Sequence, residues 1–502
     1  MPYATIAMVT WVGPFWENAW VQFSVPKFTG TPELALGPRP PDTTLTRWLY
    51  DELRRAMLTG RLKRGMRLPA TRDFAGQHGI SRRVVVNVFE QLQTEGYLVS
   101  RVGSGTRVSD QLPEDLLQFA PAQTTARRAA SSSIRPEWKR PARPLRPIEP
   151  ALSEFPIDLW ARIAARRLRR ASRSLLAGGE VQGYGPLREA IADYLGTARG
   201  VDCTPDEVVI LSGAQQGLDL LARFLVKRGD SVWIEDPAYH GAVDAFRNAG
   251  ARLVPVPVDG DGLDPAKALR ACSQPRAVYV TPAHQFPLGM TMSLERRLAL
   301  LAAARRSSAQ VIEDDYDSEF RFSGKPVPAL RGLDRSEAVI LVGSFNKLLF
   351  PSLRLGYLVL PQSLMDRFLA LRYQADAYPP AHLEAVLCDF IVEGHFGRHL
   401  RRMRELYGAR LAALRDNVTH YLKGAVELPD IQAGLNTPAY LVNGMKSNTA
   451  AVRAAACGVE VRSLDRFVLR RRDIQGVLVG FAAFTDAEIR KAVIALARAF
   501  EK

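Results

Sequence analysis

The sequence predicts two domains of different class: an N-terminal winged helix-turn-helix, mostly α with a β wing, and a larger C-terminal α/β domain. Three observations predict this. The chain's 502 residues exceed one ordinary core, and at roughly 150 residues per domain they suggest two or three units. A compact, basic, helix-rich stretch at 42–110 gives way to a segment at 111–150 rich in Pro, Ala, Ser and Arg, which has no apolar period and reads as a linker. From 151 to 502, short Val/Ile/Leu runs alternate with Ala/Leu/Arg-rich helical stretches, the pattern of βα units around a largely parallel, buried sheet.

The bulk composition agrees. Hydrophobic residues make up 47 % of the chain, enough for sizeable cores and too many for disorder. The net charge is +15, which favours polyanion partners. Residues 1–150 carry 21 Lys and Arg against 13 Asp and Glu. The rest carries 46 against 39 over more than twice the length, so the N-terminal part is the expected nucleic-acid face. Cys203, Cys272, Cys388 and Cys457 have no CxxC or zinc spacing and read as reduced thiols of a cytoplasmic protein; no metal site is expected. Residues 1–41 form an arm without an assigned role. Its apolar stretch Thr5–Val25 is interrupted by Gly13-Pro14, Glu17 and Asn18, so neither a signal peptide nor a membrane span is expected.

Within 42–110, apolar residues Leu45, Trp48, Leu49, Leu53, Met57 and Leu58 recur at helical spacing and stop at Gly60. Pro69 suits a second helix start and Asp73 its first turn, with His78-Gly79 as its end. Ser81 then caps a third helix that buries Val84 or Val85, Val88 and Leu92. A short helix, a glycine turn and a second helix make a helix-turn-helix. Arg82 and Arg83 fall in the first turn of the second one, where a recognition helix meets the major groove and the arginine fork matches guanine edges and phosphates. Two alternating strands around Gly103-Ser104-Gly105 form a wing carrying Arg101. The order resembles the DNA-binding domain of the GntR superfamily, through Leu68-Pro69-x-x-Arg72, Ser81-Arg82, Glu95-Gly96-Tyr97 and Gly103-x-Gly105-Thr106. The resemblance implies a double-stranded DNA partner contacted by Arg72, Ser81, Arg82, Arg83, Arg101 and Ser104.

In the C-terminal domain, Gly343-Ser344-Phe345-Asn346-Lys347 ends a strand, and Arg354 follows the lysine by seven residues. A lysine in dry surroundings loses its proton readily and can attack an aldehyde, while an arginine nearby can hold a phosphate on the same molecule. Val311-Ile312-Glu313-Asp314-Asp315-Tyr316 places carboxylates after a buried strand, where one can hold a protonated ring nitrogen and make that ring an electron sink. Leu211-Ser212-Gly213-Ala214-Gln215 is a strand-end turn opening a helix, whose free amides suit phosphate. Tyr239 follows another strand and can stack on a ring. In Thr281–Gly289, His284 is read as a hydrogen-bonded loop residue rather than a catalytic base. These motifs converge at strand C-termini, where open α/β sheets bind ligands.

Together they resemble the fold-type-I aminotransferase superfamily of pyridoxal-phosphate (PLP) enzymes over nearly all of 150–502, with a large part at about 180–380 and a small part in the C-terminal 120 or so residues. The resemblance implies that Lys347 forms the Schiff base and Asp314 pairs the pyridine nitrogen. Tyr316 would contact the ring hydroxyl, Tyr239 would stack, and Ala214, Gln215, Ser344 and Arg354 would hold the phosphate. Tyr184, in Gln182-Gly183-Tyr184-Gly185-Pro186, would reach across a dimer. The combined order is similar to the MocR/GabR family of PLP-dependent regulators, which implies a head-to-tail homodimer and an amino-acid or amine effector. Four departures stand out. Asn346 replaces the usual serine, Asn436 a usual histidine, and Gly241 an arginine that binds ligand in some relatives. The strand Gly476–Phe481 supplies no carboxylate-binding arginine, leaving Arg466, then Arg462, as candidates. The departures weigh against full transamination. The reading is a regulator that senses PLP or a PLP-bound effector; the alternatives are a working aminotransferase with a DNA-binding appendage, or a DNA-binding protein whose second domain only dimerises.

Overall fold

The structure, a computed structural model, describes Leu34 and residues 36–101, 105–113, 143–324, 328–442 and 444–500. The chain divides into two compact units, Met1–Ile134 and Arg135–Lys502.

The N-terminal unit is a three-helix head with a β-hairpin. Helix α1 (Leu45–Leu58) is capped by Thr44 and buries Leu49, Leu53, Ala56 and Met57. Helix α2 (Thr71–His78) opens after Ala70. Pro69 therefore precedes the cap rather than opening the helix; Asp73 sits in the first turn as expected. Gly79 ends α2 at φ 62°, a left-handed conformation that glycine adopts without a Cβ clash. Helix α3 (Arg82–Thr94) is capped by Ser81 Oγ, which accepts from the Val84 amide at 3.4 Å. Of the two candidate valines, Val85 is the one fully buried, with Val88 and Leu92. Each such side chain contributes about 1.5–3 kcal/mol on burial, so this face fixes which way the polar first turn points. Strands β1 (Leu98–Arg101) and β2 (Gly105–Val108) pair antiparallel, Leu98 opposite Val108.

The C-terminal unit holds an eight-stranded sheet with helices packed against it and a four-stranded antiparallel sheet. The strands of the large sheet are β3 (Val208–Leu211), β4 (Ser231–Asp236), β5 (Arg252–Asp259), β6 (Gly262–Leu263), β7 (Ala277–Val280), β8 (Gln310–Asp315), β9 (Val339–Ser344) and β10 (Gly356–Val359). Their spatial order is β3-β10-β9-β8-β7-β4-β5-β6. β5, β4, β7, β8 and β9 run parallel, while β10 is antiparallel to both β9 and β3. Every residue of β3, β4, β7, β9 and β10 is buried, as a sheet covered on both faces requires. The smaller sheet contains β11 (Val426–Glu427), β12 (Asn436–Leu441), β13 (Arg462–Ser463) and β14 (Gly476–Gly480), ordered β11-β12-β14-β13.

Two expectations change. The acidic cluster 313–315 does not follow its strand: it lies within β8, with Asp314 opposite Val342 and Asp315 opposite Gly343 of β9. The end of the expected linker is also not free chain. Leu145 is fully buried, its carbonyl accepts from the Gly480 amide, and the Glu460 amide donates to Pro144 O. Arg146 bridges Glu149 and Glu460 at 2.9 and 3.0 Å. Residues 143–150 thus belong to the small-sheet region. A composition rich in proline and arginine hid one deeply buried leucine.

Candidate functional site

Register brings the site together. Gly356 of β10 lies opposite both Ser344 of β9 and Leu211 of β3, so the turns after β3 and β9 leave the sheet side by side. Gly356 itself allows this: a Cβ there would meet Gly343 O at 2.8 Å and the Ala214 amide at 3.1 Å. Gly213 opens the helix Ala214–Leu225 at φ 97°. A Cβ on Gly213 would lie 3.0 Å from Asn346 Nδ2 and 3.9 Å from Arg354 Cζ. The helix N-terminus, Asn346 and Arg354 therefore meet at one point, and free amides with a guanidinium make an anion cradle. Asn346 braces the lysine turn from inside, its Oδ1 accepting from the Leu355 amide at 3.2 Å. Ser344 Oγ accepts from the Asn346 amide at 3.3 Å.

Lys347 stands three residues beyond β9, half-buried, and its Nζ donates to Ile148 O at 3.1 Å. Asp314 is 5 % exposed. Its Oδ2 accepts from the Tyr279 hydroxyl at 2.7 Å, while Oδ1 is buried with no partner. Burial pushes the Asp314 carboxyl from 3.8 to about 7, against the Tyr279 hydrogen bond and with help from the charges of Asp315 and Asp317. A buried carboxylate with one empty acceptor site fits a cationic N–H donor. Glu235, at the end of β4, is likewise pushed to about 7 by burial, although Thr281 and Gln285 donate to it.

Aromatic residues pack beside these groups. Tyr239 donates to Gln215 Oε1 at 3.0 Å, and Gln215 Nε2 donates to Gly241 O. This occupies the Gln215 side chain, leaving its backbone amide for an anion. A Cβ on Gly241 would sit 2.0 Å from Gln215 Oε1 and 2.4 Å from the Tyr239 ring, so any side chain there would displace this pair. Phe286 stands edge-on to Tyr239, Tyr316 and Phe467. Tyr316 is half-buried, with its hydroxyl 3.0 Å from His284 Nδ1. Asn436 is buried at the start of β12 with an unpartnered Oδ1. The Arg462 and Arg354 charges both act on the Tyr239 hydroxyl, opposing the upward push of burial, whereas Arg466 is exposed and its charge acts on His240. Of the two candidate arginines, Arg462 is the one whose charge acts on Tyr239. The Tyr184 amide donates to Glu384 Oε2 at 2.6 Å, fixing the start of the helix Gly185–Arg199.

Tyr279, Phe286 and the Ile148 carbonyl were not legible as site groups. Tyr279 had a signal, since it is the one residue with a polar tip in the run Ala277–Val280. The Ile148 contact joins residues far apart in sequence and had none. In the N-terminal unit, Arg72, Ser81, Arg82 and Arg83 are all exposed. Ser104 and the Arg101 side chain lie outside the described residues.

Comparison with known proteins places these geometries. Residues 45–108 match the family of bacterial regulatory proteins of the gntR type, and residues 152–496 match aminotransferase class I and II. The chain is 39 % identical to "Probable rhizopine catabolism regulatory protein MocR" of Rhizobium meliloti, over 92 % of this chain and 95 % of that protein. It is 30 % identical to the pyridoxine biosynthesis transcriptional regulator PdxR of Corynebacterium glutamicum, over 91 % and 96 %. Its C-terminal unit resembles the α-aminoadipate aminotransferase LysN of Thermus thermophilus, solved with N-(5'-phosphopyridoxyl)-L-leucine. That match has a TM-score of 0.65 at 28 % identity and covers 70 % of this chain and 90 % of that one. The cofactor of this fold is pyridoxal phosphate, and the residues fit it: the empty Oδ1 of Asp314 suits a pyridinium N–H, and the Gly213 turn suits a phosphate. Among the described residues no helix is long and apolar enough to cross a membrane. The chain belongs to the MocR-type transcription regulators, which join a GntR helix-turn-helix to an aminotransferase class I and II domain.

Proposed function

We propose that this regulator senses PLP, alone or carrying an amine or amino-acid effector, through Lys347, and that the segment 143–149 relays the state of that lysine along the chain. The observation that carries the reading is the hydrogen bond from Lys347 Nζ to Ile148 O. A free ammonium donates to that carbonyl; a nitrogen bound covalently to cofactor has fewer hydrogens to give. When bound, PLP supplies an electrophilic carbon for an amine and an electron sink for its bonds. The chain's own residues do the rest. Asp314 holds the ring nitrogen, Tyr239 and Phe286 exclude water, Tyr316 meets the ring oxygen, and the Gly213 turn with Arg354 anchors phosphate. Arg462 is the candidate for an effector carboxylate.

The relay segment is held in two left-handed residues, Leu145 at φ 65° and Ile148 at φ 69°. Such positions cost of order 1–3 kcal/mol each in non-glycine residues and persist only where surrounding contacts impose them. Loss of one contact can therefore change their conformation, and a ligand shifts an equilibrium only by binding one arrangement better.

A head-to-tail homodimer is part of the proposal. Helices Ile157–Arg169 and Arg173–Ala177 pack on Ala381–Val392. They leave Ile157, Leu168, Leu176 and Val392 exposed by 53–70 %, which is the apolar excess expected of an interface.

The chemistry is tested by absorbance and borohydride reduction of the PLP-loaded protein. The expected result is a visible band, fixed by reduction onto the peptide containing Lys347 and absent from Lys347→Ala. A protein that stays colourless after incubation with PLP contradicts the reading. Rapid conversion to pyridoxamine phosphate on adding amino acids would make it an enzyme instead.

A further inference from the structure

Against the Tyr316 hydroxyl lies a buried histidine–aspartate pair. His284 is 2 % exposed and Asp317 is fully buried. His284 Nδ1 lies 2.9 Å from Asp317 Oδ1 and 3.0 Å from the Tyr316 hydroxyl oxygen, and the two rings stack with centroids 5.8 Å apart. One nitrogen therefore faces two oxygens. A carboxylate only accepts, so the hydrogen belongs on Nδ1, shared between Asp317 and Tyr316. Tyr316 then accepts from His284, and its own hydrogen remains for another acceptor.

The surroundings hold the pair in place. A Cβ on Gly434 would lie 2.1 Å from His284 Cε1 and 2.9 Å from Asp317 Oδ2, and one on Gly289 would lie 3.3 Å from His284 Nε2. These glycines have φ of 98° and 82°. His284 Nε2 and Asp317 Oδ2 are buried without partners, so nothing offsets the cost of burying them except the contacts on their other side. The charged groups acting on Tyr316 are Asp317, Asp314, Glu235 and Asp315; together with burial they keep its phenol well above the ordinary range and hence protonated. On the His284 side, the Arg321 guanidinium donates to Thr291 Oγ1 at 2.8 Å and to Ala283 O at 3.5 Å.

We infer that His284 and Asp317 are positioning residues: by supplying a donor to the Tyr316 oxygen they leave its phenolic hydrogen for the cofactor's ring oxygen, and so set how firmly the lysine-bound cofactor keeps its proton. The inference rests on the proposed contact of Tyr316 with the ring oxygen.

The test is a pH titration of the visible band in PLP-loaded full-length protein. His284→Leu and Asp317→Asn should each move the midpoint by about half a unit to one unit, the effect of one ordinary hydrogen bond. His284→Asn, whose amide can replace Nδ1–H, should stay near the parent. Tyr316→Phe should move the midpoint, and adding His284→Leu to it should move it no further. Asp317→Asn keeps the side-chain volume and carries the test if His284→Leu does not fold. Midpoints unmoved by both His284→Leu and Asp317→Asn, with Tyr316→Phe shifted, would overturn the positioning role alone. A Tyr316→Phe midpoint equal to the parent would overturn the Tyr316 contact as well.

Discussion

Asp314 is buried and keeps one acceptor oxygen without a partner. Its pH behaviour follows. Folding raises its pKa from 3.8 to about 7, so the cofactor-free folded state holds a proton that the unfolded chain releases. Its contribution to stability is full below pH 3.8 and is lost as pH rises through about 7. Cofactor-free Asp314→Asn should therefore lose less stability than the parent over that range, as denaturant midpoints measured at several pH values would show. Equal losses would mean that Asp314 is not the titrating group. The residue types at the site were largely legible: a lysine, an aspartate and two tyrosines at strand ends carry recognisable chemistry. What they touch was not. Gln215 was expected on a phosphate; its side chain serves Tyr239 and Gly241, which leaves the backbone amide for that role. Arg466 was placed ahead of Arg462 on sequence; in the structure the Arg462 charge acts on Tyr239 and the Arg466 charge on His240.

At the scale of elements, the recognition helix follows from its sequence in full. Ser81 caps it, and the stripe Val85, Val88, Leu92 faces inward, so Arg82 and Arg83 must face out. If Arg82 reads a base edge, Arg82→Ala should weaken binding to a selected duplex by about 1–3 kcal/mol and relax preference at one position; unchanged affinity at moderate salt removes it from the interface. The strand cores were legible because full burial leaves uninterrupted Val/Ile/Leu runs, as in Val208–Leu211 and Ala277–Val280. Strand ends were not. β8 extends through Glu313, Asp314 and Asp315, where tertiary pairing to β9 overrides the low strand propensity of acidic residues. The segment 143–150 was misjudged for the same reason: Leu145 is buried, and its carbonyl is held by the amide of Gly480, 335 positions further along the chain.

For the whole molecule, the order of the two domains was readable, but the connection between them was not. A linker composition marks where a chain leaves a core; it does not mark where the chain becomes fixed to the next one, and here that point adjoins Lys347. The assembly has its own check. Replacing Leu168 and Leu176 together by Glu should convert a dimer to a monomer in sedimentation, with both unit folds kept; a parent protein that is already monomeric contradicts the interface. The central proposal is that Lys347 and the DNA-binding unit are coupled. The measurement is the affinity of cofactor-free and PLP-loaded protein, and of Lys347→Ala treated in the same two ways, for a duplex selected from a random pool at one fixed salt concentration. Coupling of the usual allosteric size predicts that loading changes the parent's affinity by about 5–150-fold and leaves that of Lys347→Ala unchanged. Equal affinities for loaded and cofactor-free parent would contradict it.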